Sequence, residues 1–410
     1  ALRSVKDALF DDLVGLAYQP YAKMSSVVVF SMMILLYGKI TDMFQRTKLF
    51  FVICSFFSIL FAIAGFAYSY PALSPYLHVP FIPGNILGWA SYFAIESFGG
   101  ITIAALFWAF VTSITESASG KKGFPIIVLA GQVGNFLGAT FVKEFVQTLG
   151  FTVVLYIISA AIMLIPVLIW LTLETTPNEF LLNDARDEGG KKKKKTGAFE
   201  GIRLIFSHGY LMGVMVIATV YEVIITIVDF QFKTLARQVY AKEAFASYMA
   251  NYAQMNSLVS ILFVFIGTGF LIRNFGVRLC LLAYPAVAGL AIGLILFKPV
   301  LGAFFVAMIA VKAFSYALNN PVKELLYLPT SHDVKFKAKS FIDALGQKSA
   351  KATGSAVNAS LIGSGGAAGL ASLLTYGSLI SMGIVGVWIV VAIGLGHRYD
   401  KIIKDGEIIK

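Results

Sequence analysis

LGFTVVLYIISAAIMLIPVLIWLTL, residues 149–173, carries no charged side chain. About 20 consecutive apolar residues suffice to cross the hydrocarbon core of a bilayer as helix, and this run exceeds that. The other structure that can span a membrane is a closed β-barrel, which needs apolar and polar residues to alternate. Ile157–Leu173 shows no such alternation. The run therefore reads as a transmembrane helix, and the rest of the chain repeats it.

Of 410 residues, 58% are hydrophobic and 13% charged, with a mean hydropathy of +0.79. A soluble domain carries about 25% charged residues. Apolar runs are read at 24–41, 48–70, 89–115, 124–143, 149–173, 207–232, 248–272, 278–297, 299–320, 341–368 and 375–396. Residues 2–10, LRSVKDALF, read as the end of one further helix whose start is expected upstream of Ala1, which brings the expected count to twelve. Cys54 and Cys280 lie in apolar runs, and the four histidines are scattered, so neither a disulfide framework nor a metal site is expected. No signal peptide is visible.

Between spans six and seven lies EGGKKKKKTG, 188–197, which reads as a solvated linker. It divides the chain into bundles at 1–174 and 207–410, joined by 175–206. The net charge of +11 is a topology signal, because Lys and Arg concentrate in alternate loops: Lys39, Arg46 and Lys48; Lys121 and Lys122; Arg186 and Lys191–Lys195; Arg273 and Arg278; Lys335, Lys337 and Lys339. The tail adds Arg398, Lys401, Lys404 and Lys410, whereas the 71–88 connection has no Lys or Arg. Both termini are thus expected to be cytoplasmic, and nucleic acid is not expected as a partner. Gly38–Asp42 with Arg46 and Lys48 is echoed about 230 residues later by Gly269 with Arg273 and Arg278, the parallel six-helix repeat of major-facilitator architecture.

Charges inside the spans are the informative ones, since each costs about 2.5–3.5 kcal/mol at a helix centre unless it faces a partner or a cavity. Glu96 lies within span four, Lys312 within span ten, and Lys348 and Lys351 among the small residues of QKSAKATGSAVNAS, 347–360. Asp229 precedes Lys233 by one helical turn, and Lys6 is flanked by Arg3 and Asp7. The bland reading of each is a structural ion pair or a side chain reaching for the interface. Small residues in span eleven serve tight packing, but packing does not require Gln347, Lys351 or Asn358, so a wet face is expected there. Lysines lining a shared cavity point to an anionic substrate. No phosphate-binding G-x-x-x-x-G-K-[ST], no G-x-S-x-G and no H-E-x-x-H occurs, so no enzyme and no resident cofactor is expected. GSGGAAG, 363–369, reads as a helix end or loop, and Pro321 as the end of span ten.

LRSVKD (2–7), the span-four glutamate, VDFQFK (228–233) and above all NPVKELLYLPTSHDVKFKAKSFID (320–343) resemble the non-mitochondrial ATP/ADP translocases of plastids and obligate intracellular bacteria. The resemblance runs across essentially the whole chain. It implies a twelve-helix carrier similar to the major facilitator fold that exchanges ATP for ADP, in some members with phosphate. By local motif it assigns transport roles to Lys6, Glu96, Asp229 with Lys233, and Lys351. Asp229 stands where glutamate is usual, and SYALNNP (315–321) puts Ser315 and Asn320 where many exchangers carry opposite charges.

The expected carrier binds phosphates through Lys6, Lys233 and Lys351, with Lys323 a further candidate, and pairs Glu96 and Asp229 with these lysines when empty. The base stacks on Tyr21, Tyr221 or Tyr316, and Pro321 and Glu324 lie at a gate. Partners are ATP, ADP and in some modes phosphate, with the lipid bilayer; a monomer in a bacterial inner membrane or a plastid inner envelope is expected. Proton-coupled import of nucleotides or NAD, and a non-transporting receptor or scaffold on a carrier fold, are the alternatives.

Overall fold

The computed structural model describes residues 2–44, 46–108, 110, 111, 117–175, 205–266, 268–331, 338, 339, 341, 342, 346–363 and 366–406. Among these residues every regular element is a helix and none is a strand. Arg186, Lys191–Lys195, Lys335, Lys337 and Lys410, read above as topology signals, lie outside the described residues, as does most of the expected 175–206 linker.

The helices are α1 (Leu2–Leu13), α2 (Gln19–Met43), α3 (Arg46–Ser69), α4 (Ile86–Phe98), α5 (Ser117–Thr175), α6 (Gly209–Val239), α7 (Lys242–Ile266), α8 (Thr268–Phe297), α9 (Leu301–Phe314), α10 (Asn320–Leu325), α11 (Gln347–Ile362) and α12 (Gly366–Asp405). Seven stretches among the described residues are long and apolar enough to cross a membrane, fewer than the runs read from sequence. Two causes account for much of the difference. Ile126–Thr175 is counted once although it has 50 residues, about 75 Å of helix against a core of about 30 Å, so it must cross twice. The break falls at Gly150 (φ 73, ψ 170), and α8 is broken likewise at Gly276 (φ 71, ψ 167). Glycine meets no steric penalty at such positive φ, so two spans can join with almost no loop.

The second cause is span ten. α9 has 14 residues and is followed without a break by a π-helix over Ser315–Asn319 and then by α10. Pro321 does not end this span. The proline ring lacks an N–H and would clash with the preceding turn of an α-helix, and the wider π-turn just before it relieves both problems. A second π-helix, Gly99–Phe107, extends α4, and there a Cβ at Gly100 would collide with the Phe30 ring of α2. Span eleven is also shorter than its apolar run. α11 stops at Ile362, Gly363 (φ 50) turns the chain, and Gly366–Gly369 already belongs to α12.

The chain divides into two compact units, residues 1–192 with 240–254 and residues 193–239 with 255–410. In the first, α3 packs along α5, and α4 packs on α1, α2 and α3. In the second, α6 packs on α9, α11 and α12, and α8 on α9 and α12. Buried aromatics fill each core: Phe10, Phe57, Phe61 and Tyr92 in one, Tyr210, Phe232, Tyr284, Phe304 and Trp388 in the other. Leu35, Met43, Leu290 and Val390 stand exposed, a cost in water and none against lipid tails.

The α6–α11 crossing depends on glycine. A Cβ on Gly354 would lie 2.7 Å from the Val223 carbonyl oxygen and 2.9 Å from Thr226 Cβ, whereas one on Gly302 meets nothing within 4 Å. Gly354→Ala is therefore expected to lower stability by about 1–3 kcal/mol, the usual cost of overpacking, with Gly302→Ala near neutral. Thermal unfolding of the detergent-solubilised variants measures both.

Candidate functional site

In the first unit the end of α1 is pinned to the start of α4. Asn85 N–H donates to the Leu13 carbonyl oxygen at 2.9 Å, and the Asn85 side chain caps α4 by accepting from Leu87 N–H at 2.8 Å. Gly84 (φ 67) and Gly88 permit this approach, since a Cβ on either would clash with Val14. From that junction the helices run antiparallel. Counted from the Val14–Gly88 contact, eight residues back along α1 and eight forward along α4, about 12 Å at 1.5 Å per residue, bring Lys6 and Glu96 to one level.

There Lys6 Nζ donates a hydrogen bond to Glu96 Oε1. Lys6 is only 5% exposed, and its ammonium lies 3.7 Å from Asp7 Oδ1 and 4.3 Å from the centre of the Tyr92 ring. Asp7 Oδ1 also accepts from Gln19 Nε2 at 2.7 Å. The carboxylates, the aromatic face and the amide together make burial of the cation tolerable.

In the second unit Asp229 of α6 is held by two lysines. Its Oδ2 lies 2.7 Å from Lys233 Nζ, one turn on, and its Oδ1 lies 3.6 Å from Lys312 Nζ on α9. This arrangement mirrors the first with its charges exchanged. Lys6 lies 13 residues before Gln19, where α2 begins, and Asp229 lies 13 residues before Lys242, where α7 begins. Glu96 stands three residues before the π-helix at Gly99, and Lys312 three residues before the π-helix at Ser315. Each unit thus ties two spans by one ion pair next to a π-turn, cation to anion in one and anion to cation in the other.

Lys351 of α11 meets Glu222 of α6, with Nζ 3.6 Å from Oε2. Glu222 entered none of the expectations drawn from sequence. A signal was present: Glu222, Asp229 and Lys233 are spaced by seven and four residues, which puts them on one helical face. Lys312 was noted as an intramembrane charge without a place in the site.

The remaining candidates are dispersed. Tyr21 and Tyr316 have exposed rings, Tyr316 within the π-helix, whereas Tyr221 packs on Tyr284 with ring centres 5.6 Å apart. Tyr284 in turn meets the edge of Trp388 at 5.2 Å. Pro321, Lys323 and Glu324 form α10, and Glu324 Oε2 accepts from Lys339 Nζ, which also lies 5.8 Å from the centre of the Tyr327 ring. Among the described residues no group of three His, Cys, Asp or Glu is placed to hold a metal ion.

Because Glu96 accepts the hydrogen bond from Lys6, Glu96→Ala leaves the buried ammonium with Asp7 at 3.7 Å and is expected to cost about 3–5 kcal/mol. Lys6→Leu with Glu96→Leu removes both charges of the pair and is expected to recover part of that loss, with the Asp7 carboxylate still accepting from Gln19. Comparison of Tm for the single and double variants tests the pairing.

A family model described as TLC ATP/ADP transporter matches residues 88–399. ADP,ATP carrier protein 1 of Rickettsia bellii is 23% identical over 99% of this chain and 91% of its own. The chloroplastic ADP,ATP carrier protein 1 of Arabidopsis thaliana is 24% identical over 100% of this chain and 73% of its own. Among solved structures the chain resembles the nucleoside transporter NupG, with a TM-score of 0.59 and 14% identity over 98% of this chain and 96% of that one. It also resembles a bacterial homologue of the iron transporter ferroportin, at TM-score 0.60 and 14% identity over 96% of both chains. These likenesses show a major-facilitator-like fold and a multi-pass membrane transporter rather than an enzyme.

Proposed function

The chain belongs to the TLC ATP/ADP transporter family, and on that premise we propose that it exchanges ATP for ADP across a membrane by alternating access. One observation carries the mechanism: the intramembrane lysines Lys6, Lys233, Lys312 and Lys351 each have a carboxylate within 4 Å. In the empty carrier each pair neutralises its own lysine. The phosphates of a nucleotide offer the same ammonium groups several anionic oxygens at once, and charge-assisted hydrogen bonds to them replace those to the carboxylates. A ligand shifts a conformational equilibrium only by as much as it binds one state better than another. Exchange of partners at the ion pairs supplies that difference.

Within this reading the lysines divide by access. The Lys351 side chain is 43% exposed, against 9% for Lys233 and 6% for Lys6. Lys351 makes first contact with phosphate, while Lys6 and Lys233 answer by re-pairing. Tyr316, exposed beside the Lys312 pair in sequence, and Tyr21 are the candidate faces for the base. Pro321, Lys323 and Glu324 serve as a gate segment at the end of span ten, with Glu324 and Lys339 as its ionic contact. Asp229 is one methylene shorter than the glutamate common at that place, and Lys312 supplies it with a second cation. The bias of Lys and Arg among the loops supports cytoplasmic termini. A bacterial inner membrane and a monomeric carrier complete the reading.

Purified protein in liposomes preloaded with ADP is expected to take up labelled ATP faster than in empty vesicles, with no need for a pH gradient. Uptake that needs the gradient and ignores internal ADP indicates proton symport, and no uptake under any condition indicates a receptor or scaffold. Lys351→Ala is expected to cost about 100-fold or more in kcat/KM, on the order of 3 kcal/mol, with Tm near wild type.

A further inference from the structure

Glu222 sits near the middle of α6, at a depth where a lone carboxylate is expensive. Its partner Lys351 is delivered by a built crossing. Thr219 lies 3.3 Å from where a Cβ on Gly346 would be, and Gly354, one turn after Lys351, is pressed against Val223 and Thr226. Asn358, one turn further, donates from Nδ2 to the Thr226 carbonyl oxygen at 3.1 Å. Residue numbers rise together along both helices, so α6 and α11 run in the same direction, as two odd-numbered spans of a bundle must. The backbone that carries Lys351 is therefore fixed against α6, and Ser355 adds a bond from its hydroxyl to the Lys351 carbonyl oxygen at 2.8 Å.

The head group is held far less firmly. Its 3.6 Å separation from Glu222 exceeds the hydrogen-bond range of about 2.7–3.2 Å for N–H to O, in contrast to the 2.7 Å between Lys233 and Asp229. Glu222 is the sheltered partner, 14% exposed against 43% for Lys351. A fixed, sheltered carboxylate beside an open ammonium is placed to be outcompeted by an incoming anion. We infer that Glu222 is a positioning residue for transport, which holds Lys351 in the empty carrier and competes with the substrate's phosphates for it. This inference rests on the proposed exchange function.

Two consequences follow from the competition. Each bond that Lys351 gives to phosphate is offset by a carboxylate left without its cation, so Glu222 weakens nucleotide binding and speeds release. It also neutralises Lys351 when the site is empty, which lets the unloaded carrier close. Removing its charge holds nucleotide more tightly, slows release and makes transport depend more strictly on nucleotide at the far side.

The test is labelled ATP uptake into ADP-loaded and empty proteoliposomes with wild type, Glu222→Asp and Glu222→Gln. KM is expected to fall in the order Glu, Asp, Gln, by about 5-fold or more in the last, with kcat falling alongside it. Uptake into empty vesicles is expected to drop further than exchange does. A loss of kcat with KM unchanged or raised indicates a structural role and overturns the inference, as does Glu222→Gln behaving like wild type. If Glu222→Gln cannot be recovered folded, Glu222→Asp decides alone: it withdraws the carboxylate from a contact that is already long, and a KM not below wild type overturns the inference. A wild-type protein that shows no exchange overturns the proposed function itself, an outcome distinct from normal exchange with an unresponsive Glu222.

Discussion

A buried ion pair between two membrane spans is the constraint from which much of each unit follows. Lys6 is buried against Glu96 and Asp7, and Asp229 against Lys233 and Lys312, and an ion of either kind is costly in a bilayer without such partners. Satisfying these charges requires two helices to meet at one level, and the local sequence is arranged to that end. Asn85, Gly84 and Gly88 bring α1 and α4 together closely enough for Lys6 to reach Glu96. Such pairs add little to net stability compared with apolar packing, but breaking one by removing a partner is costly. They fit the proposed mechanism, in which the partner is exchanged and not lost.

The reversed polarity of the two pairs has a physical reading. Within each unit a cation on one span faces a carboxylate on another, so each pair neutralises itself whichever helix carries the positive charge. The adjacent π-helices fit the same logic, because a π-turn widens the helix and leaves backbone groups less well paired, and such turns recur at functional sites. In the second unit the π-turn also absorbs Pro321, so one feature serves both the continuity of the span and its local looseness.

Much of the candidate site was legible from residue types alone. Lys6, Glu96, Asp229, Lys233 and Lys351 stand out because charge is rare in apolar runs, and the family resemblance points to the same positions. Glu222 was not legible in that way, since its meaning depends on Lys351, more than a hundred residues away and on another helix. Lys312 was visible as a charge but not as the counterpart of Glu96, because that equivalence is defined by π-helices that no apolar pattern announces. Pro321 breaks a helix in the sequence pattern but not in the structure for a related reason: proline disfavours a regular α-helix at its position, and the regular helix is not the only helical way through.

The sequence by itself determined that the chain is an all-helical membrane protein, because a bilayer admits few backbone solutions and hydropathy reports which one is used. It also determined which charges need explaining and the family to which the chain belongs. Only the tertiary structure decided which charge meets which, where two apolar runs share one helix broken at a glycine, and which of the paired lysines stays exposed. Those properties depend on the register between helices distant in the chain, and register is set by close contacts such as Gly354 against Val223 rather than by any local pattern.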